Sequence, residues 1–306
     1  MRASQALLLF VVAIGCGRIG YDGQGAATDD ASSPLPDAGT VPLGPFEAPT
    51  VIPALADPSF DDDPSMTADL LELYFEGNRA GGPGQSDIYV STRISASAPW
   101  GTPELVPELS TTFDESTPTV AGDGLTIWFV NDSDEGLGGD DIWVSTRATR
   151  SAPWGTPILV AELNSIGDEA GPATTQDQKT VFFESDRDGP AGNKDIFVAT
   201  RPTSSQAWGV PVPVVSLNTE FTESGVQPAN GGLEIVFGSR RLTSDGPGDL
   251  FQASRPSLDE PFDAPTEIPG LNTAFDEQDP WMSPDGRYIV FASNRSGNME
   301  IYEARR

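Results

Sequence analysis

The chain has 306 residues, 37% of them hydrophobic, with 28 Pro and 32 Gly, so it can bury a sizeable core but its helices would be interrupted repeatedly. The 17 basic residues against 46 acidic ones leave a formal charge of −29, which removes the basic footprint that nucleic-acid backbones require. There is no His, the one Cys is Cys16 and the only Lys are Lys179 and Lys194; Ser-His-Asp and Cys-His catalysis, imidazole metal ligands and an intrachain disulfide are therefore excluded.

In chain order, Arg2 and the apolar run Ala6 to Ile14 have the charged start and short greasy middle of a secretory signal. Nine apolar residues are too few to span a bilayer. The ending Ala13-Ile14-Gly15-Cys16 resembles the bacterial lipobox, which implies a signal peptide over 1–15 and lipidation of Cys16, with the membrane reached by that anchor alone. Gly17 rather than Asp after the Cys implies transfer to the outer membrane, facing the periplasm or the cell surface. Residues 16–44 are dominated by Gly, Ala, Asp, Ser, Thr and Pro, bury too little apolar surface to offset their ordering entropy, and read as a flexible tether.

From residue 45 onward the sequence repeats. Phe75, Phe129, Phe183, Phe237 and Phe291 are each 54 residues apart. Twelve residues after the first four stand Asp87, Asp141, Asp195 and Asp249, each followed by Ile or Leu; the fifth counterpart, Glu300, comes after nine. Arg93, Arg147, Arg201, Arg255 and Arg306 follow, then Trp100, Trp154, Trp208 and Phe262, each with a Pro three residues on. The last copy lacks its aromatic-x-x-Pro segment, but Phe46 and Pro49 supply one, 29 residues before Phe75, as Phe262 is 29 before Phe291. In the second copy the strand-like runs are Pro118–Val120, Leu125–Val130, Asp141–Thr146 and Pro157–Leu163, with an Asp123-Gly124 hairpin signal. Runs such as Thr180-Val181-Phe182-Phe183 are apolar on both faces, as in sheets covered on both sides. The expectation is an all-β, five-bladed β-propeller of four-stranded blades over 45–306, closed by an N-terminal strand pairing with the C-terminal blade. A linear solenoid would leave two bare ends.

The fifth copy, from Asp279-Pro280-Trp281-Met282-Ser283-Pro284-Asp285-Gly286 to Phe291-Ala292-Ser293-Asn294-Arg295 and Glu300-Ile301-Tyr302, resembles the propeller repeat of the TolB-type, WD-like family. The other copies keep the Phe, most of the Ser-x-Arg and the Asp-Ile. The resemblance covers 46–306 and implies a binding or scaffold module of the cell envelope, without the α/β domain that precedes the propeller in TolB.

Chemistry has to come from oxygen ligands and the few cations. The recurring Asp-Ile acids read as strand-start carboxylates that accept backbone N–H bonds from the preceding loop, and the recurring Arg and Trp/Phe as ties and core anchors. The acids before each innermost strand exceed what turn-capping requires: Asp61, Asp62 and Asp63; Asp114 and Glu115; Asp168 and Glu169; Glu223; Asp276, Glu277 and Asp279. With Trp281 on the fifth innermost strand, they are the candidate binding residues: a negative ring around one channel mouth, suited to Ca²⁺ or to a basic segment. The partners expected are an envelope protein or basic peptide, or a glycan, bound by a monomer. No catalytic residue is assigned, since acids repeated in similar settings do not push two pKa values apart. The alternative is a glycosidase-like, carbohydrate-active enzyme that uses a pair of these carboxylates. Departures from the repeat are further clues to a specific site: in the second copy Asn131-Asp132-Ser133 replaces Ser-x-Arg and Asp134, Glu135 and Asp140 are added, the fourth has Arg240-Arg241, and the fifth places Trp281 on its innermost strand.

Overall fold

Hydrophobic runs covered on both faces have to stack as sheets, and they do so radially. A computed structural model describes residues 43–188, 193–242 and 247–306; the expected signal peptide, Cys16 and most of the expected tether lie outside the described residues. Blade one comprises Asp61–Met66, Glu72–Gly77, Asp87–Thr92 and Glu104–Leu105. Blade two comprises Glu115–Val120, Thr126–Asn131, Asp141–Thr146 and Ile158–Leu159. Blade three begins at Glu169–Thr174, blade four at Glu223–Ala229 and blade five at Glu277–Met282. All five sheets are four-stranded and antiparallel, and the innermost strand of each contacts its counterparts on both neighbours, the fifth meeting the first. Among the described residues no helix is long and apolar enough to cross a membrane.

Thr50–Val51 is the outer strand of blade five: Thr50 pairs with Glu303 and Val51 with Tyr302. The seam thus joins the two ends of the ring, as the 29-residue interval predicts. The outer strands are shorter than expected. Ile158–Leu159 has two residues instead of the predicted run to Leu163, because the chain turns inward there to bury Leu163 and Asn164. Asn164 both accepts from the Ile142 amide and donates to its carbonyl, and Asn218 and Asn272 do the same in the next two blades.

The two apolar faces of each blade serve different neighbours. Val181 and Phe183 of blade three pack with Trp128 and Val130 of blade two, while the intervening Phe182 packs with Phe237 and Phe251 of blade four. Each fully buried Phe contributes about 2–3 kcal/mol by transfer from water. Immediately after each third strand, the recurrent Arg donates its Nε to a carbonyl of the hairpin between the first two strands, as Arg147 does to Gly124 at 2.6 Å. Its guanidinium lies 3.9–4.4 Å from the centre of the following aromatic ring, in four blades a Trp or Phe of the next connection and in the fifth Phe46.

A β-bulge interrupts every innermost strand at one place. The bulged residue is left-handed each time: Asp63, Thr117, Gly171, Gly225 and Asp279, with φ between 47° and 57°. These five positions line one small cavity at the axis, and three of them carry side chains in a conformation that disfavours them.

Candidate functional site: the acidic channel waist and its mouth

The predicted acids divide into three groups. Glu115, Glu169, Glu223 and Glu277, at the first residue of their strands, have no exposed surface. Each bonds through both oxygens to the amide and hydroxyl of the Thr or Ser four residues earlier. Arg187, Arg241 and Arg295 approach the last three at 3.0, 3.4 and 2.9 Å, and Arg79 pairs with Asp61. This corrects the expectation that these acids form a negative ring around a channel mouth: the Arg of Ser-x-Arg folds back onto the acid of its own blade and fastens the connection. These five acids do not face an open mouth.

Asp114, Asp168 and Asp276 tie loops together. Asp114 accepts from the amides of Gln85 and Ser86, Asp168 from Asp140 and Asp276 from Gly248. Their own amides donate to Asp132, Asp186 and Asn294. Two of the Asp-Ile acids act as predicted: Asp141 accepts from the amides of Leu137 and Gly138, at 2.6 and 3.0 Å, and Asp87 from that of Gly84 at 3.4 Å, whereas the fifth counterpart, Glu300, takes the Ser296 hydroxyl.

The third group is at the axis. One oxygen each from Asp62, Asp63 and Asp279 lies within 4.8 Å of the other two. Asp62 is buried, accepts from Gln278 Nε2 at 2.6 Å, and takes the Asp63 amide at 3.0 Å. Two more buried carboxylates, Glu76 and Glu184, join from the second strands. Glycines make room for them. A Cβ at Gly171 would fall 2.4 Å from Glu184 Oε1, and one at Gly225 would fall 2.2 Å from Asp279 Cα.

Burial drives all five acids toward the protonated form. Asp62 and Glu184 are pushed up to about 7, the former also by the Glu76 charge. Asp63 and Asp279 are held well above the usual carboxylate range by burial and then by a neighbouring charge, that of Asp279 on Asp63 and that of Asp62 on Asp279. Burial also raises Glu76. Hydrogen bonds link Asp63 with Glu76 and Asp62 with Asp279, so protons are shared where full ionisation would set like charges together. Glu184 Oε1 and Thr117 Oγ1 are buried without a partner among the described residues. The cavity between the five bulges measures about 30 Å³, the scale of one ion or water. Sequence reasoning missed Glu76 and Glu184. The signal was available in the residue after each repeating Phe, which is Glu76, Val130, Glu184, Gly238 and Ala292.

Beyond the waist, at the end where the hairpins between first and second strands gather, a second cavity of about 200 Å³ is lined by Thr119, Gln178, Gln227, Asn230, Trp281 and Met282 among others, with no carboxylate. Trp281 is 5% exposed and packs with Met66 and Val290 between blades five and one, so only its edge reaches this space. The axial cavity therefore opens on the face opposite to the connections that bear Asp114, Asp168 and Asp276.

No family model matches the chain, and no curated protein is similar to it in sequence. Solved structures resemble it in fold. TolB from Acinetobacter baumannii is 16% identical with a TM-score of 0.52, over 83% of this chain and 56% of that one; the chain thus spans little more than half of that protein's length. An endo-arabinase from Bacteroides thetaiotaomicron is 14% identical, TM-score 0.56, over 85% of this chain and 98% of that one. A GH62 α-L-arabinofuranosidase catalytic domain from Coprinopsis cinerea is 13% identical, TM-score 0.55, over 85% and 96%. At these identities the likeness is one of fold alone, and it extends to TolB and to glycoside hydrolases alike.

Proposed function

We propose that this chain is a binding or scaffold module of the cell envelope, exported and lipid-anchored through Cys16, that takes its partner at the hairpin end of the channel. The observation that carries this reading is the lining of the mouth: amides, a Trp edge and Met side chains without a carboxylate. A glycosidase needs two reachable carboxylates ~5–9.5 Å apart, flanking the bond they cleave. The acids nearest the axis here are sunk at a waist of about 30 Å³, too narrow for a sugar ring. Neutral hydrogen-bonding groups around an apolar floor suit a peptide segment or a glycan held without chemistry.

In the same reading the waist takes a hard cation such as Ca²⁺. Asp62, Asp63 and Asp279 offer three converging oxygens, and the unpartnered Glu184 Oε1 and Thr117 Oγ1 add oxygens of the kind such ions use. The ion would bind these carboxylates in their ionised form and brace the five bulges.

A photo-crosslinking residue placed at Gln227 or Asn230, and separately at Asp114 on the opposite face, tests the site in envelope membranes. The expected result is a discrete crosslinked partner from the first two positions only. Release of reducing sugar from arabinan or xylan, lost in Asp62→Asn and Asp279→Asn, would overturn the binding reading.

A further inference from the structure

Four blades share a guanidinium socket. In blade three Arg187 donates Nη2 to the Leu163 carbonyl and to Glu169 at 3.0 Å, and Nε to Ser185 at 2.9 Å. Its guanidinium carbon lies 5.1 Å from the ring centres of both Phe183 and Phe197. Arg241 repeats this with the Leu217 carbonyl, Glu223, Ser239, Phe237 and Phe251. Arg295 does so with the Leu271 carbonyl, Glu277, Ser293, Phe291 and Tyr302, and Arg79 with the Leu55 carbonyl, Asp61, Phe75 and Tyr89.

Blade two has the socket without the arginine. Ser133 stands at the arginine position, and a cavity of about 240 Å³, lined by Leu109, Phe129, Asn131, Ser133, Glu135 and Trp143 among others, occupies the place. The equivalent parts remain: Glu115 is wholly buried, and Phe129 and Trp143 face one another in register. Trp143 is half-buried, whereas its counterparts Tyr89, Phe197, Phe251 and Tyr302 are all 6% exposed or less; the missing guanidinium accounts for the difference. Asn131 Nδ2 reaches one Glu115 oxygen at 2.5 Å, so the acid keeps a donor but no positive partner among the described residues. Burial pushes Glu115 up to about 7, as a carboxyl deprived of its cation should behave.

We propose that the blade-two socket binds an arginine side chain of a partner protein, which completes in trans the contact the other four blades make in cis. The chemistry selects Arg over Lys: a planar cation stacked on two aromatic faces, with directed donors for a carboxylate and a backbone carbonyl. The exposed Glu135 lines the cavity and, with the exposed Asp132 and Asp134 beside Ser133 in sequence, favours a basic segment, while Phe113, 40% exposed and also in the lining, offers apolar contact to a residue that flanks the arginine. This site is separate from the channel mouth, and either can be occupied alone.

The whole chain is titrated with the peptide acetyl-Gly-Arg-Gly-amide and with its Lys analogue, reading the indole N–H resonance of Trp143. The expected result is a saturable shift with the Arg peptide and binding at least about tenfold weaker with the Lys peptide. Ser133→Arg should abolish the response by filling the socket from within, and should raise the melting temperature. Glu115→Gln, on which no arginine depends, should weaken binding about tenfold. Absence of a saturable shift at Trp143, equal binding of the Lys peptide, or an unchanged response in Ser133→Arg would each overturn the proposal.

Discussion

The guanidinium of Arg306 lies 4.3 Å from the ring centre of Phe46, so the last residue of the chain closes over one that precedes the first blade. Arg255 makes the same contact with Phe262, seven residues along, at 4.4 Å. One interaction is thus local in blade four and forms the seam of the ring in blade five. Phe46→Ala and Phe262→Ala should each cost about 3–5 kcal/mol in urea unfolding. Only Phe46→Ala should speed hydrogen exchange at the Ile52 amide, which donates to the Ile301 carbonyl across the seam at 3.0 Å.

The fastened acids predict unequal costs for one chemical change. Glu169→Gln leaves Arg187 beside an uncharged partner in a largely buried site and should cost about 3 kcal/mol. Glu115→Gln has no arginine to strand and keeps its Thr111 and Asn131 contacts in part, so it should cost no more than about 1 kcal/mol. Denaturant midpoints of the two variants would show the difference.

The waist makes stability depend on pH. Asp62 and Glu184 titrate near 7 in the folded chain, against about 4 when unfolded, so the folded state keeps protons that the unfolded state releases. Their stabilising contribution is complete below about pH 4 and is lost as pH rises through about 7, with each tenfold difference in proton affinity between the two states worth roughly 1.4 kcal/mol. Without divalent ions, stability should therefore fall between pH 5 and 8, and Asp63→Asn with Asp279→Asn should flatten the profile.

At pH 8 the same acids are ionised and repel one another, which is the state a cation would relieve. Calcium in excess over EDTA should raise the melting temperature of the parent at pH 8. The Asp63→Asn, Asp279→Asn variant should show no such shift.

Anchoring is tested apart from the fold. Cys16→Ser should move the protein from the membrane fraction to the soluble fraction, because stable attachment takes two or more acyl chains. Mass spectrometry that found Cys16 unmodified in the native protein would count against the anchor.

The sequence by itself determined the blade count, the strand order and the seam, because the repeat is written in residues that each blade must bury: Phe75 and its four counterparts, the Arg over each aromatic ring, and Phe46 standing in for the aromatic missing after Arg306. It also marked blade two as different through Asn131-Asp132-Ser133. What it left undecided was the direction in which each acid points. Glu115, Glu169, Glu223 and Glu277 are adjacent in sequence to Asp114, Asp168, Thr222 and Asp276, yet they turn inward to be bonded by Thr or Ser hydroxyls and, in three blades, by Arg. Two residues along the strand, the bulge turns Asp63 and Asp279 to the axis, where Glu76 and Glu184 arrive from strands paired with the innermost ones. Only the tertiary structure decides this, because ring closure brings five distant bulges to one axis, and the empty places at Gly171 and Gly225 determine which side chains can meet there.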